Sequence, residues 1–186
     1  MAGGVFRAVV VTPESRLLDV AARAVVIRSS DGFLTVLDGH TPLVTDIVSG
    51  GVRVDPEEGA SLHIAVHGGY LQVETGQGLA VDGDGDGDGE GGAAAAGDER
   101  STRATLLAGV AELADQIDVP RAEAAKEAAQ ARLEELRALT GRTTAGGPSG
   151  EGEGAEAPGT PEEREMAEVE AALARAELRL AVAAGT

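Results

Sequence analysis

The sequence predicts an α+β chain: an N-terminal all-β sandwich followed by a C-terminal antiparallel hairpin of two helices. Three observations carry that expectation. Residues 5–82 hold seven short segments rich in β-branched residues, each ended by Gly, Pro, Asp or Ser. Their turns recur about every ten residues, the rhythm of a sandwich or barrel. Beyond Ala108 the apolar period changes from two to between three and four, with helix-start signals at both expected helices.

The expected strands run in order through "FRAVVVT", "RAVVIRS", "FLTVL", "GVRVD", "SLHIAVH", "YLQVE" and "GLAVD". They are short, rich in β-branched residues, and separated by Gly, Pro, Asp or Ser, as strands are. The step "HGGY", His67 to Tyr70, reads as a tight reversal between two central strands. "RATLLA", Arg103 to Ala108, reads as a further short strand and competes with "GLAVD" for the last place in the sheet.

Between them lies "DGDGDGDGEGGAAAAGDER", residues 82–100. It has no apolar side chain larger than alanine and cannot offset the entropy of ordering. The D-x-D-x-D-G opening resembles a calcium loop, which needs a Glu at its twelfth position. Counting from Asp82, Asp84 or Asp86, that position falls on Ala93, Ala95 or Gly97. The stretch therefore reads as a solvated insert, spanning 82–103.

The first helix starts in "IDVPRA", Ile117 to Ala122, where Asp118 can cap and Pro120 is tolerated in the first turn. It is expected to reach Leu139, ahead of Gly141. Its apolar stripe is Ala122, Ala125, Ala129, Leu133, Leu136 and Leu139. A second low-complexity stretch, 141–159, serves as linker. Then Thr160, Pro161 and Glu163 form a capping box, and Met166, Val169, Leu173, Ala176 and Leu180 recur at 3-4-3-4 spacing. The domains expected are thus 1–108 for the sandwich and 109–186 for the hairpin.

Composition excludes several function classes. A net charge of −17, with Lys126 the only lysine, argues against a nucleic-acid partner. The absence of cysteine removes disulfide and thiol chemistry. No secretory signal opens the chain, and no run approaches the roughly 18 apolar residues of a membrane span. Contact with a membrane is therefore expected only through a larger complex. His63 and His67 are four apart on a strand, about 13 Å, too far for one zinc. No metal and no required cofactor are expected. Nor is there a nucleophile elbow, a P-loop or a dinucleotide fingerprint.

Specific segments resemble the epsilon subunit of the rotary proton-driven ATP synthase of bacteria. These are "VVVTPES", "DGFLTVLDGHTPLVTDIVSGGVRV", "IAVHGGYLQV", "TLLAGVAELADQIDVPRA" and "ALARAELRLAVA". They cover most of the chain outside the two low-complexity stretches. The departures are Thr35 where the family has its second glycine and Asp38 where it has proline.

The resemblance implies a non-catalytic rotor subunit of the central stalk, coupling proton flow to ATP synthesis. It would lie peripherally at the cytoplasmic face of the plasma membrane. Its partners would be the gamma subunit, the ring of c subunits and, through the hairpin, the catalytic beta subunit. The c-ring would meet the loop Asp31, Gly32, Phe33 and Leu34, and His40 falls in the gamma-side segment. His40 can equally be a turn residue whose imidazole bonds nearby backbone.

In some family members the hairpin binds regulatory ATP. The matching residues here are Glu112, Ile117, Asp118, Arg121, Arg175 and Arg179. Arg175 and Arg179 are one helical turn apart with no acid at i±3 or i±4, so an external anion is expected to meet them. A further family arginine, seven residues after Arg121, is Ala128 here, and Arg132 is the nearest substitute. The second helix carries six Glu and three Arg, which implies weak inhibition of ATP hydrolysis. The competing readings are a stand-alone sandwich adaptor whose hairpin binds another helix and, least supported, an enzyme.

Overall fold

In the computed structural model, residues 4–76, 101–143 and 160–185 are described. The expected strand "GLAVD" and most of both low-complexity stretches lie outside these residues. The chain divides into two compact units, Met1–Asp115 and Gln116–Thr186.

Among its described residues the first unit holds nine strands: β1 Phe6–Val11, β2 Arg16–Ser29, β3 Gly32–Val36, β4 Leu43–Ile47, β5 Gly50–Pro56, β6 Leu62–Val66, β7 Gly69–Gly76, β8 Ser101–Ala108 and β9 Ala111–Leu113. They are hydrogen-bonded in the order β4-β7-β8-β1-β2-β5-β6-β9, with β3 also on β2. The 14-residue β2 is the corner. Its first half pairs β1 and its second half pairs β3 and β5, so it belongs to both halves of the sandwich.

Alternation decides which side chains go inside. Ala8 and Val10 of β1, Leu71 and Val73 of β7, and Ala104 and Leu106 of β8 are all buried in one core. Val52, Val54, Ile64 and Val66 close it from the other half. Such a core of Val, Leu, Ile and Ala suits a chain with two Phe, one Tyr and no Trp.

Several expectations need correction. "HGGY" is not a reversal between paired strands, because β6 pairs β5 and β9 while β7 pairs β4 and β8. It carries the chain from one half of the sandwich to the other. Gly69 is required there: a Cβ on it would lie 2.2 Å from the Leu107 carbonyl oxygen, and its φ is +152°. β8 begins at Ser101, so residues 101–103 are strand rather than insert. It lies between β1 (parallel) and β7 (antiparallel). The division between units falls after β9, whose residues pair with β6.

The second unit is the hairpin of α1 Val119–Thr143 and α2 Pro161–Ala183. α1 runs through Gly141 instead of ending at Leu139, so 141–143 is not linker. Thr160 accepts from the Glu163 amide at 3.2 Å while the Glu163 carboxylate accepts from the Thr160 amide at 2.8 Å. Ala122, Ala129, Leu133 and Leu136 are buried along α1, but Ala125 and Leu139 are exposed. On α2, Ala176 of the expected stripe is buried and its other four members are half-buried, while Val182, outside that stripe, is also buried. The seam is narrow. Ion pairs supplement it: Lys126 to Glu177 and Arg137 to Glu170, each at 3.5 Å, and Arg132 to Glu165.

Candidate interaction surfaces

On the β4-β7-β8-β1 half, residues between two core residues face away from the core; Val9 among them is nonetheless buried, and the exposed part of the face lies around Tyr70 and Leu107. This outer face carries a registered row in which Asp46 opposes Tyr70, Tyr70 opposes Leu107, and Leu107 opposes Val11. Tyr70 is 61% exposed and Leu107 46%. Val44, in the neighbouring row, is 69% exposed. The row runs into a shallow apolar groove lined by Val11, Thr12, Pro13, Leu107, Ala108 and Gly109. Water contact at these apolar groups is unfavourable by about 25 cal/mol per Å², and a contiguous patch of this kind marks a binding face.

Two braced turns flank this face. The β2–β3 connection is the pair Ser30–Asp31, and Gly32 follows with φ +126°. Asp46 holds it, accepting from the Ser30 hydroxyl at 2.9 Å and from its amide at 3.2 Å. That contact sets the turn beside the β4 end of the apolar row. Phe33 stands 80% exposed, whereas Leu34 turns inward and packs against the core. Of the four loop residues singled out from the sequence, Leu34 therefore presents no outward side chain.

The second turn, Leu37–His40, is held by two threonines that face each other across β7 and β8. The Thr102 hydroxyl accepts from the Gly39 amide at 2.8 Å, and the Thr75 hydroxyl donates to the His40 carbonyl at 2.7 Å. The His40 ring Nδ1 lies 2.8 Å from the Thr41 carbonyl oxygen. Because that oxygen can only accept, Nδ1 carries the proton and His40 is a turn residue bonding nearby backbone.

The expected nucleotide residues fall in both units. Glu112 is on β9, in the sandwich. Asp118 is the α1 cap, with Oδ1 accepting from the Arg121 amide at 3.0 Å. Ile117 is buried and Arg121 exposed. The Lys126–Glu177 and Arg132–Glu165 pairs show that the helices run antiparallel. Arg121 lies just over a turn ahead of Lys126, and Arg175 and Arg179 flank Glu177. The structure thus brings Asp118, Arg121, Arg175 and Arg179 to one end of the hairpin. Arg132 does not substitute for the missing arginine. It is committed to Glu165 and, at 2.9 Å, to Glu135, and these carboxylates raise its pKa.

The functional features missed from sequence are the outward row and the threonine pair. The row had a usable signal, since Leu71 and Val73 inward require Tyr70 outward. The threonines had none, because the turn they hold is distant in sequence.

Residues 5–78 match the family model of the ATP synthase delta/epsilon chain β-sandwich domain. The epsilon chain of Symbiobacterium thermophilum is 34% identical over 137 residues, covering 73% of this chain and 79% of that one. The chain belongs to the ATP synthase epsilon-chain family. The Desulforamulus reducens epsilon chain is 35% identical over 124 residues, 67% of this chain and 74% of that one. A chain in the Euglena gracilis mitochondrial ATP synthase (OSCP, F1 and c-ring) shares the fold at TM-score 0.59. It is 18% identical, with 100% of this chain and 83% of that one covered. As an epsilon chain it is a non-catalytic, central-stalk subunit; the complex is the enzyme.

Proposed function

We propose that this epsilon chain seats the apolar outer face of β4-β7-β8-β1 on the gamma subunit and turns its Phe33 tip toward the c-ring. The supporting observation is the row of exposed Tyr70 and Leu107 with half-buried Val11, beside a braced, aromatic-tipped turn. A rotor element must transmit torque without deforming, and hydrogen-bonded turns on a close-packed sandwich meet that need. Among the described residues no helix is long and apolar enough to cross a membrane. Attachment at the cytoplasmic face of the bacterial plasma membrane would then come through the partners.

The hairpin is the regulatory element in this reading. Its seam is thin and partly ionic, so separation of the helices costs little compared with opening the sandwich. ATP would bind at the end holding Asp118, Arg121, Arg175 and Arg179, with arginines on phosphate oxygens. Affinity would be low, because Asp118 is engaged as a cap and Arg132 by two carboxylates. The beta subunit would receive few bases from α2, so inhibition of hydrolysis would be weak. Co-purification tests the docking: the full chain should retain gamma and the c-ring, and Tyr70→Glu with Leu107→Glu should lose them. Retention by the double variant would reject this face.

A further inference from the structure

Arg103 is a charged residue of the outer face that the docking reading leaves unused. It lies on β8 between the inward residues Thr102 and Ala104, so its side chain points outward. Its registered neighbours are Arg7 on β1 and Glu74 on β7. Neither is ion-paired with it, although Glu74 is an acid. Arg7 donates to both oxygens of Asp19, at 2.8 and 2.7 Å, and Asp19 also receives Arg16 at 2.9 Å. Glu74 accepts from the Gln72 side-chain amide at 3.0 Å.

Arg103 Nε is shielded from solvent and has no hydrogen-bond partner among the described residues. No ion pair involves it among those residues either. The chain has 32 acidic residues against 15 Lys and Arg, so an arginine with no ion pair among the described residues is not a matter of scarcity. A donor removed from water and left unmade is costly, so the guanidinium is held short of its usual bonds; its terminal nitrogens, which are not so shielded, can take a carboxylate in a strong, charge-assisted bond.

We infer that Arg103 receives an aspartate or glutamate of the protein seated on the Tyr70–Leu107–Val11 row, and so sets the register of that partner. This rests on the docking reading above. Four residues of β8 separate Arg103 from Leu107, about 13 Å. A partner helix laid along β8 would place its acid about nine residues from the apolar group meeting Leu107, and a partner strand about four. Charge complementarity selects an acidic partner edge, while the apolar row supplies the buried area.

The test is the affinity of the full chain for its cognate gamma subunit at low and high salt. Arg103→Gln should weaken binding about ten- to a hundredfold and flatten the salt dependence. Arg103→Lys, which keeps the charge and the aliphatic stem, should fall between Gln and wild type. Arg103→Glu should be rescued by reversing a single acid of gamma. Arg53→Gln, on the other half of the sandwich, should leave affinity unchanged. Wild-type affinity and salt slope in Arg103→Gln would overturn the inference while leaving the docking face intact. Failure of the wild-type chain to bind gamma would overturn both. Should Arg103→Gln melt early, wild-type affinity in Arg103→Lys together with absence of any rescuing reversal would overturn the inference.

Discussion

Replacing Thr102 by Val tests whether the Leu37–His40 turn is held by side chains rather than by its own backbone. Thr102 is 1% exposed and its hydroxyl accepts from the Gly39 amide at 2.8 Å. Valine has nearly the same shape and a better strand preference, so neither a cavity nor a backbone penalty is introduced. The amide loses its partner instead, a loss of about 1–3 kcal/mol for a buried donor. Gly39 is itself exposed, which lets water recover part of that, so about 1 kcal/mol is expected. For a domain of this size that lowers the midpoint by about 4–8 °C. Thr75→Val should cost less, since the His40 carbonyl keeps a second lone pair for water. The single tyrosine, Tyr70, is on β7 and there is no tryptophan, so tyrosine emission reports the sandwich alone. A Thr102→Val midpoint within about 1 °C of wild type would refute the reasoning.

Other perturbations separate the two units. Gly69→Ala should disrupt the β7–β8 pairing, since the added carbon meets the Leu107 carbonyl oxygen at 2.2 Å; a loss above about 3 kcal/mol is expected in chemical denaturation followed by tyrosine emission. Asp19 is held below its ordinary 3.8 by the hydrogen bond from Arg7. Its contribution is present above that value and is lost as pH falls through the lowered folded value. The midpoint gap between wild type and Asp19→Asn should be widest near neutrality and close in acid; a gap constant down to about pH 3 would contradict this. Arg132→Gln should melt the helices earlier at low salt, read by circular dichroism at 222 nm, with the difference shrinking at high salt and tyrosine emission unmoved.

Strands such as "FRAVVVT" and "SLHIAVH" were legible because each is a short run rich in β-branched residues, with Ala8–Val10 and Ile64–Val66 buried on both faces. The first half of β2 was not. Leu17 and Leu18 are adjacent, which breaks the period, and Asp19 interrupts the apolar run although it is paired to Arg7. β4 was missed because it is five residues directly after Pro42 and is held in the sheet by β7 alone. Topology was the least accessible: two glycines suggest a reversal, but nothing local says that the strands on either side pair elsewhere. For the candidate site, helix caps were readable from residue type, as Asp118 and Thr160 show. The commitment of Arg132 to α2 was not, since its partner Glu165 lies across the hairpin.

The most direct test of the account is proton-driven ATP synthesis by membrane vesicles whose synthase lacks its epsilon chain. Adding this chain should restore coupled synthesis, and the Tyr70→Glu, Leu107→Glu variant should not. Synthesis unchanged by the wild-type chain, or restored equally by that variant, would contradict the claim that this sandwich face seats the subunit in the rotor.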